Sequence, residues 1–177
     1  TAGFNTLFTQ TRPEGDSRPL AFDPLAELVS QAHAAGLGVH AWIDVALASR
    51  AGEMQASRDH VVYRHPEWLM VPRTIAAELW ATDTHAPDYL GRLARWTRTN
   101  VDRVDGLYVS PLQSDAAVKM ADDVRDIVRR YEFDGVYLDH VRFPGDDFDY
   151  GARSVGAFRE WVRGQVDLER RRLADAQ

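Results

Sequence analysis

The segment Gly135-Val136-Tyr137-Leu138-Asp139-His140-Val141-Arg142 sets a carboxylate, an imidazole and a guanidinium directly behind a short apolar run. Such a run reads as a strand, and in parallel α/β folds sites form at the carboxyl ends of strands, on the loops that follow. A carboxylate projecting there into a partly desolvated mouth can act as nucleophile or general base. Arg142, three residues on, is placed to hold Asp139 ionised. The competing reading is an Asp–Arg pair that only fixes a loop. A second strand-like run, Val39–Ala46, carries His40, Trp42 and Asp44 on one parity, so they share a face. Asp44, at its end, is the second candidate carboxylate. His40 lies earlier and reads more readily as a core histidine, while Trp42 serves equally as core or as a sugar platform. Gln10, Thr11 and Arg12 end a first run, and Tyr108 and Ser110 end another. Carboxylates together with Trp, Tyr, His and Arg suit a carbohydrate, because aromatic faces stack on sugar C–H groups and charged groups make directional bonds to hydroxyls.

The elements that must hold these residues are legible from pattern. Phe4–Gln10 reads as a strand, followed by a polar turn through Thr11–Pro19. Asp23 is an N-cap with Pro24 at the first helical position, and Leu25, Leu28, Val29 and Ala32 continue at helical spacing to a stop at Gly36. With Val39–Ala46 this makes a βαβ unit and implies parallel strands. Residues 49–87 hold no sustained period and read as an irregular insertion. There His65 and Trp68 fit a lid or subsite role and plain loop packing equally. Pro87–Val104 is expected to be helical, Gly106–Val109 a strand, and Ser114 or Asp115 the cap of a helix with Val118, Ala121, Val124, Ile127 and Tyr131 on its stripe. Gly135–Leu138 is a strand, and Ser154 opens a last helix with Val155, Phe158, Val162 and Val166 on one side. Asp105-Gly106-Leu107-Tyr108-Val109-Ser110 echoes Asp134-Gly135-Val136-Tyr137-Leu138-Asp139 at a displacement of 29 residues, as two similar helix-to-strand junctions would. Asp134 itself reads as turn chemistry. The Asp146-Asp147-Phe148-Asp149 run lacks the spaced ligands of a calcium loop and reads as a solvated acidic loop.

Composition narrows the classes. The hydrophobic share of 45% over 177 residues suffices for a core and argues against disorder. With 27 acidic against 21 basic residues, a nucleic-acid-binding surface is not indicated. The absence of cysteine removes disulfides, zinc–thiolate sites and iron–sulfur clusters. No apolar run approaches the ~20 residues of a membrane span. There is no P-loop, dinucleotide fingerprint, nucleophile elbow or zincin motif, and no cofactor is expected.

Asp134-Gly135-Val136-Tyr137-Leu138-Asp139-His140-Val141-Arg142-Phe143-Pro144 resembles the D-G-(I/V)-H-x-D-Y-(I/V)-R-(Y/F)-P signature of the bacterial glycosyl-hydrolase-like family ten. Gly3–Phe8 with Gln10 and Arg12 is similar to that family's opening strand, His40-Ala41-Trp42 to its H-A-W strand, His65-Pro66-Glu67-Trp68 to its H-P-E-W loop, and Tyr108-Val109-Ser110-Pro111 to its L-Y-(L/V)-(N/S)-P strand. Tyr137 and His140 depart from it, standing where relatives often carry His and Tyr. The resemblance implies a (β/α)₈ barrel related to amylase-like glycosidases, acting on a glycan and usually exported to the cell envelope or beyond, with Asp139 as a catalytic carboxylate beside Arg142.

Glycosidases need two carboxylates. Asp44, Glu14 and Asp16 are the in-chain candidates for the second, and by analogy with amylase-like barrels it could also lie beyond Gln177. The reading is therefore a glycoside hydrolase domain whose carbohydrate site uses Asp139 and Asp44, with Gln10, Arg12, His40, Trp42, Tyr108, Ser110, His140 and Arg142 as substrate contacts. The alternatives are a non-catalytic glycan-binding barrel module that lacks one carboxylate, and a metal held by the Asp and His residues. A full barrel takes ~200–250 residues, so the chain is expected to be a partial barrel with open sheet edges and uncovered helix faces, poorly stable alone.

Overall fold

The structure, a computed structural model, describes residues 3–11, 22–53 and 55–175. In chain order the elements are β1 (Thr6–Thr11), α1 (Pro24–Ala34), β2 (Gly38–Asp44), β3 (Leu47–Arg50), α2 (Val61–Arg64), α3 (Ala76–Trp80), α4 (Pro87–Thr99), β4 (Gly106–Tyr108), α5 (Ser114–Arg130), β5 (Gly135–Asp139) and α6 (Ala152–Asp175). This is a mixed α/β fold.

The β1–α1–β2 unit forms as its sequence dictates. Asp23 accepts the N–H groups of Leu25 and Ala26 at 3.0 and 3.2 Å, satisfying two donors that the first helical turn leaves open. After α1 the backbone reverses at Gly36, whose φ of 74° lies in the left-handed region that glycine enters without a Cβ penalty. β2 then lies parallel to β1, and β5 pairs in parallel with the other edge of β2, in the order β1-β2-β5. One face of this sheet is core: Val39, Ala41 and Ile43 are buried against Val29 and Ala32 of α1 and Ile127 of α5. By alternation the opposite face carries Phe8, Gln10, His40, Trp42, Asp44, Tyr137 and Asp139.

The second strand group departs from the alternating plan. β4 pairs antiparallel with β3, and Val109 bridges to Leu69. The two halves of the 29-residue echo thus occupy different settings, one in the parallel sheet and one in an antiparallel pair. The cause is β3, which continues the chain beyond β2 after a bend at Val45-Ala46 and presents its own free edge to β4. Gly106 permits the pairing: a Cβ there would stand 1.9 Å from the Ser49 carbonyl oxygen.

Residues 49–87 contain β3's end, α2, α3 and two single 3₁₀ turns, all too short to print a period. They are nevertheless packed, because Val62, Trp68, Leu69, Val71 and Leu79 join Leu93, Leu107 and Ala116 in the largest core cluster. α5 packs Val124 and Ile127 into the core as expected, but in its first half Ala116 is buried and Val118 and Ala121 are exposed. Its first residue is Ser114, which makes no side-chain cap. α6 begins before Ser154, whose buried hydroxyl instead donates to Asp149 at 2.6 Å. The acidic run is not simply solvated: Asp149 also accepts the N–H groups of Val71 and Gly151, each at 2.8 Å, and Asp147 pairs with Arg103. Phe158, Trp161 and Val166 on α6 and Val136 and Leu138 on β5 are exposed. No closed barrel forms among the described residues, and no described helix is long and apolar enough to cross a membrane.

Candidate active site

The register of the parallel sheet aligns Asp44 with Asp139 and Trp42 with Tyr137. Both carboxylates therefore stand at the carboxyl ends of neighbouring strands and on the same face. Asp44 Oδ2 accepts from Gln10 Nε2 at 2.8 Å and from the Arg50 guanidinium at 3.3 Å. Asp139 Oδ2 accepts the Trp42 indole N–H at 3.0 Å, and its Oδ1 accepts the His140 backbone N–H at 2.7 Å.

His140 lies between them. Its φ of 54° is a left-handed conformation that His, Asn and Asp adopt more often than other side chains and that clusters at functional sites. This kink turns the imidazole back over the strand ends, with Nδ1 2.8 Å from Asp44 Oδ1 and 3.7 Å from Asp139 Oδ1. Nε2 faces Asp105 Oδ2 at 3.6 Å, so each ring nitrogen looks at a carboxylate. Asp105, just before β4, also accepts the Tyr108 hydroxyl at 2.9 Å and the Arg142 guanidinium at 3.2 Å. Tyr108 is buried edge-on to the imidazole, and burial, reinforced by its bond to Asp105, pushes its hydroxyl pKa well above the usual tyrosine range. Asp44, Asp139 and His140 each offer one ligand atom within 4.8 Å of the others, an oxygen–oxygen–nitrogen set whose geometry would accept a small cation. Both carboxylates already accept the donors named above, and each His140 ring nitrogen already faces a carboxylate.

Of the residues picked out from sequence, Gln10, Trp42, Asp44, Tyr108, Asp139 and His140 come together in this network. Trp42 is resolved as neither core filler nor bare platform, since its indole N–H holds Asp139 and its ring edge meets Tyr137. Arg142 is a correction: it pairs with Asp105 and not with Asp139, because the turn at His140 carries it toward β4 and both Asp139 oxygens already have donors. His40 sits two register positions before Trp42, against Gly135 and 5.2 Å from Phe8, below the carboxylates. Ser110 is buried and turned toward Leu112 N and Ser154 Oγ. Arg12, Glu14 and Asp16 lie outside the described residues. Sequence reasoning missed Arg50 and Asp105. The signal for Asp105 was its place before the echoed Gly-Leu-Tyr, where its counterpart Asp134 reads as turn chemistry, whereas Arg50 sits in a strand too short to announce itself.

A cleft of about 470 Å³ opens from Asp44 and runs past Arg50 and Trp68 to α5. Its size falls within the ~300–1,000 Å³ of small-molecule sites.

Comparison with curated proteins returns no match. A family model described as Glycosyl hydrolase-like 10 matches residues 4–165. That span takes in both carboxylate-bearing strands, the packed segment between them and the imidazole that bridges them, and the chain belongs to the glycosyl hydrolase-like 10 family.

Proposed function

We propose that this chain carries the catalytic carboxylates of a glycoside hydrolase, on part of a (β/α)₈-type barrel, and acts on an O-glycosidic bond of a glycan. The observation that supports this best is the pairing of Asp44 with Asp139 across β2 and β5, with His140 between them. Their nearest available oxygens fall within 4.8 Å. Inverting glycosidases hold their carboxyl groups ~6.5–9.5 Å apart and retaining ones closer, at ~5–5.5 Å, and we take the retaining route for a pair this near.

In that chemistry Asp139 attacks the anomeric carbon as the glycosidic C–O bond breaks, forming a C–O bond to the sugar. Asp139 is held for attack by the Trp42 and His140 N–H groups. The departing oxygen needs a proton, and the Asp44–His140 contact, 2.8 Å long, is where one is shared. Delivered from that pair, the proton is regained from the water that then hydrolyses the glycosyl–enzyme bond. Gln10 and Arg50 keep the Asp44 carboxylate aimed at the imidazole throughout.

The test is glycan hydrolysis by the intact protein and its Asp139→Asn and Asp44→Asn variants. Loss of a unit of this kind lowers turnover by about 10⁴-fold or more. Unchanged hydrolysis by Asp139→Asn would remove the assignment. Glycan binding without turnover by the unsubstituted protein would return the chain to the non-catalytic module.

A further inference from the structure

The cleft that opens from Asp44 has a built wall that the carboxylate chemistry does not use. His65 stacks on Trp68 with ring centroids 3.8 Å apart and planes 7° from parallel. Trp68 is buried with the imidazole laid over its ring, and both residues line the cleft. Beneath it, His65 Nδ1 lies 3.1 Å from Glu67 Oε1, whose side chain is 12% exposed. The other Glu67 oxygen is buried without a hydrogen bond and faces His85 Nε2 at 3.8 Å, so the carboxylate's one hydrogen-bonding contact is with His65. A carboxylate at Nδ1 fixes the ring's orientation and puts the proton there, so that Nε2 becomes an acceptor. Nε2 has no partner among the described residues. A ring braced on both its face and one nitrogen, and left open on the other, is arranged to receive a hydroxyl.

The charges in the same cleft indicate which glycan. Each of its described Arg and Lys residues is already engaged by a neighbouring acid: Arg50 by Asp44, Arg64 by Asp59 and Lys119 by Asp123. A uronate or sulfated sugar would find no unpaired cation among these, and Glu53 adds a further negative group. Paired charges do suit uncharged hydroxyls, to which they offer donors and acceptors side by side.

We propose that His65, backed by Trp68 and oriented by Glu67, forms the wall of a binding subsite for an uncharged oligosaccharide running along the cleft from Asp44. This deepens the glycosidase reading and rests on it for the class of ligand.

The test is calorimetric binding to the intact protein carrying Asp139→Asn, so that turnover does not intrude. The probes are neutral hexasaccharides of glucose, xylose and N-acetylglucosamine, with oligogalacturonate as the anionic comparison. At least one neutral probe binds, and oligogalacturonate binds tenfold more weakly or not at all. Adding His65→Ala weakens the neutral probe about tenfold, one hydrogen bond and its contact area, while His65→Gln, which keeps an acceptor, recovers most of the loss. In the unsubstituted protein, saturating neutral probe slows diethylpyrocarbonate modification of His65, a readout independent of how the variants fold. Oligogalacturonate binding as tightly as the neutral probes, no neutral binding at all, an unaltered His65→Ala affinity, or unslowed modification would each overturn the subsite. Neutral binding without turnover by the unsubstituted protein would reject hydrolysis and keep the subsite, whereas turnover of an anionic glycan would do the reverse.

Discussion

Replacing Gly106 with alanine tests whether the antiparallel β3–β4 pair is as close as the structure has it. The added Cβ would stand 1.9 Å from the Ser49 carbonyl oxygen and 2.8 Å from both Ser49 C and Arg50 Cα, all backbone atoms of the facing strand. No side-chain rotation relieves such a contact, so the strands must part by well over an ångström. The pairing around Arg50↔Gly106 and the Ala51 N–H bond to the Asp105 carbonyl, 2.8 Å, would go with them. Overpacking costs ~1–3 kcal/mol where side chains can yield, and each lost bond adds ~1 kcal/mol. The expected loss is thus about 3–5 kcal/mol, a large part of a typical ~5–15 kcal/mol stability. Two further glycines calibrate the reasoning. At Gly135 the clash is with the His40 ring at 2.8 Å, which can turn aside, so alanine should cost about 1–2 kcal/mol. At Gly91, inside α4, a Cβ meets nothing within 4 Å, and alanine should stabilise by ~0.5–1 kcal/mol. Urea denaturation followed by far-UV circular dichroism reads the three midpoints at constant slope. A Gly106→Ala variant within about 1 kcal/mol of the parent, or the order Gly106, Gly135, Gly91 reversed, would refute the argument.

Trp42→Phe keeps a ring against Tyr137 but removes the donor to Asp139. A hydrogen bond to a charged group contributes ~1.5–3 kcal/mol, so kcat of the intact protein should fall about 10- to 100-fold, and an unchanged kcat would deny the indole its positioning role. Asp134 ties β5 to β2: its carboxylate accepts the Val39 N–H at 2.7 Å and faces His33 at 2.9 Å, and these hold its pKa below the ordinary value, the Val39 bond most of all. Because the folded pKa is depressed, that stabilisation is full above the ordinary carboxylate range and is lost as pH falls below about 4. Melting temperature against pH should accordingly be flatter in that window for Asp134→Asn. Tyr89 is buried, and burial first, then the Asp149 and Glu67 charges, raises its pKa to about 12. Spectrophotometric titration should therefore find a late phenolate step that Tyr89→Phe diminishes, and an unaltered titration would contradict its burial.

What the sequence disclosed depended on how long each element runs. The β1–α1–β2 unit was legible because Asp23-Pro24 caps, Gly36 stops and the apolar spacing between them spans an entire helix. Asp44 and Asp139 were legible as strand-end carboxylates because alternation fixes a face once a strand end is known, whereas their shared register is set by the β2–β5 pairing and is not written in either strand. β3 is four residues long and α2 and α3 four and five, below the window in which any period is visible. The partner of Arg142 was hidden for a different reason. Sequence distance put it beside Asp139, but the left-handed turn at His140 redirects the chain, and positive φ at a histidine leaves no sequence signature. Gly106 and Gly135 look identical in sequence yet oppose a backbone and an imidazole, since the neighbour of a strand is a fact of topology.

The irregular segment and the candidate site are one electrostatic problem. Parallel strands lie ~4.8 Å apart, so a register that aligns Asp44 with Asp139 sets two like charges side by side at a sheet edge, which alone is unfavourable. The sheet supplies Gln10 and Trp42 as donors, but neither carries charge. The compensating cation on Asp44 is Arg50, which is available only because the chain bends at Val45-Ala46 and extends as β3 in place of entering a crossover helix. The same β3 recruits β4 antiparallel, and that orientation carries Asp105 and Tyr108 to the far side of the His140 ring. Asp105 in turn captures Arg142 and leaves the approach to Asp139 free of a guanidinium. The antiparallel pair thus sets the charge around each carboxylate: Asp44 is braced by the Arg50 guanidinium, whereas Asp139 takes its hydrogen bonds from the neutral N–H groups of Trp42 and His140.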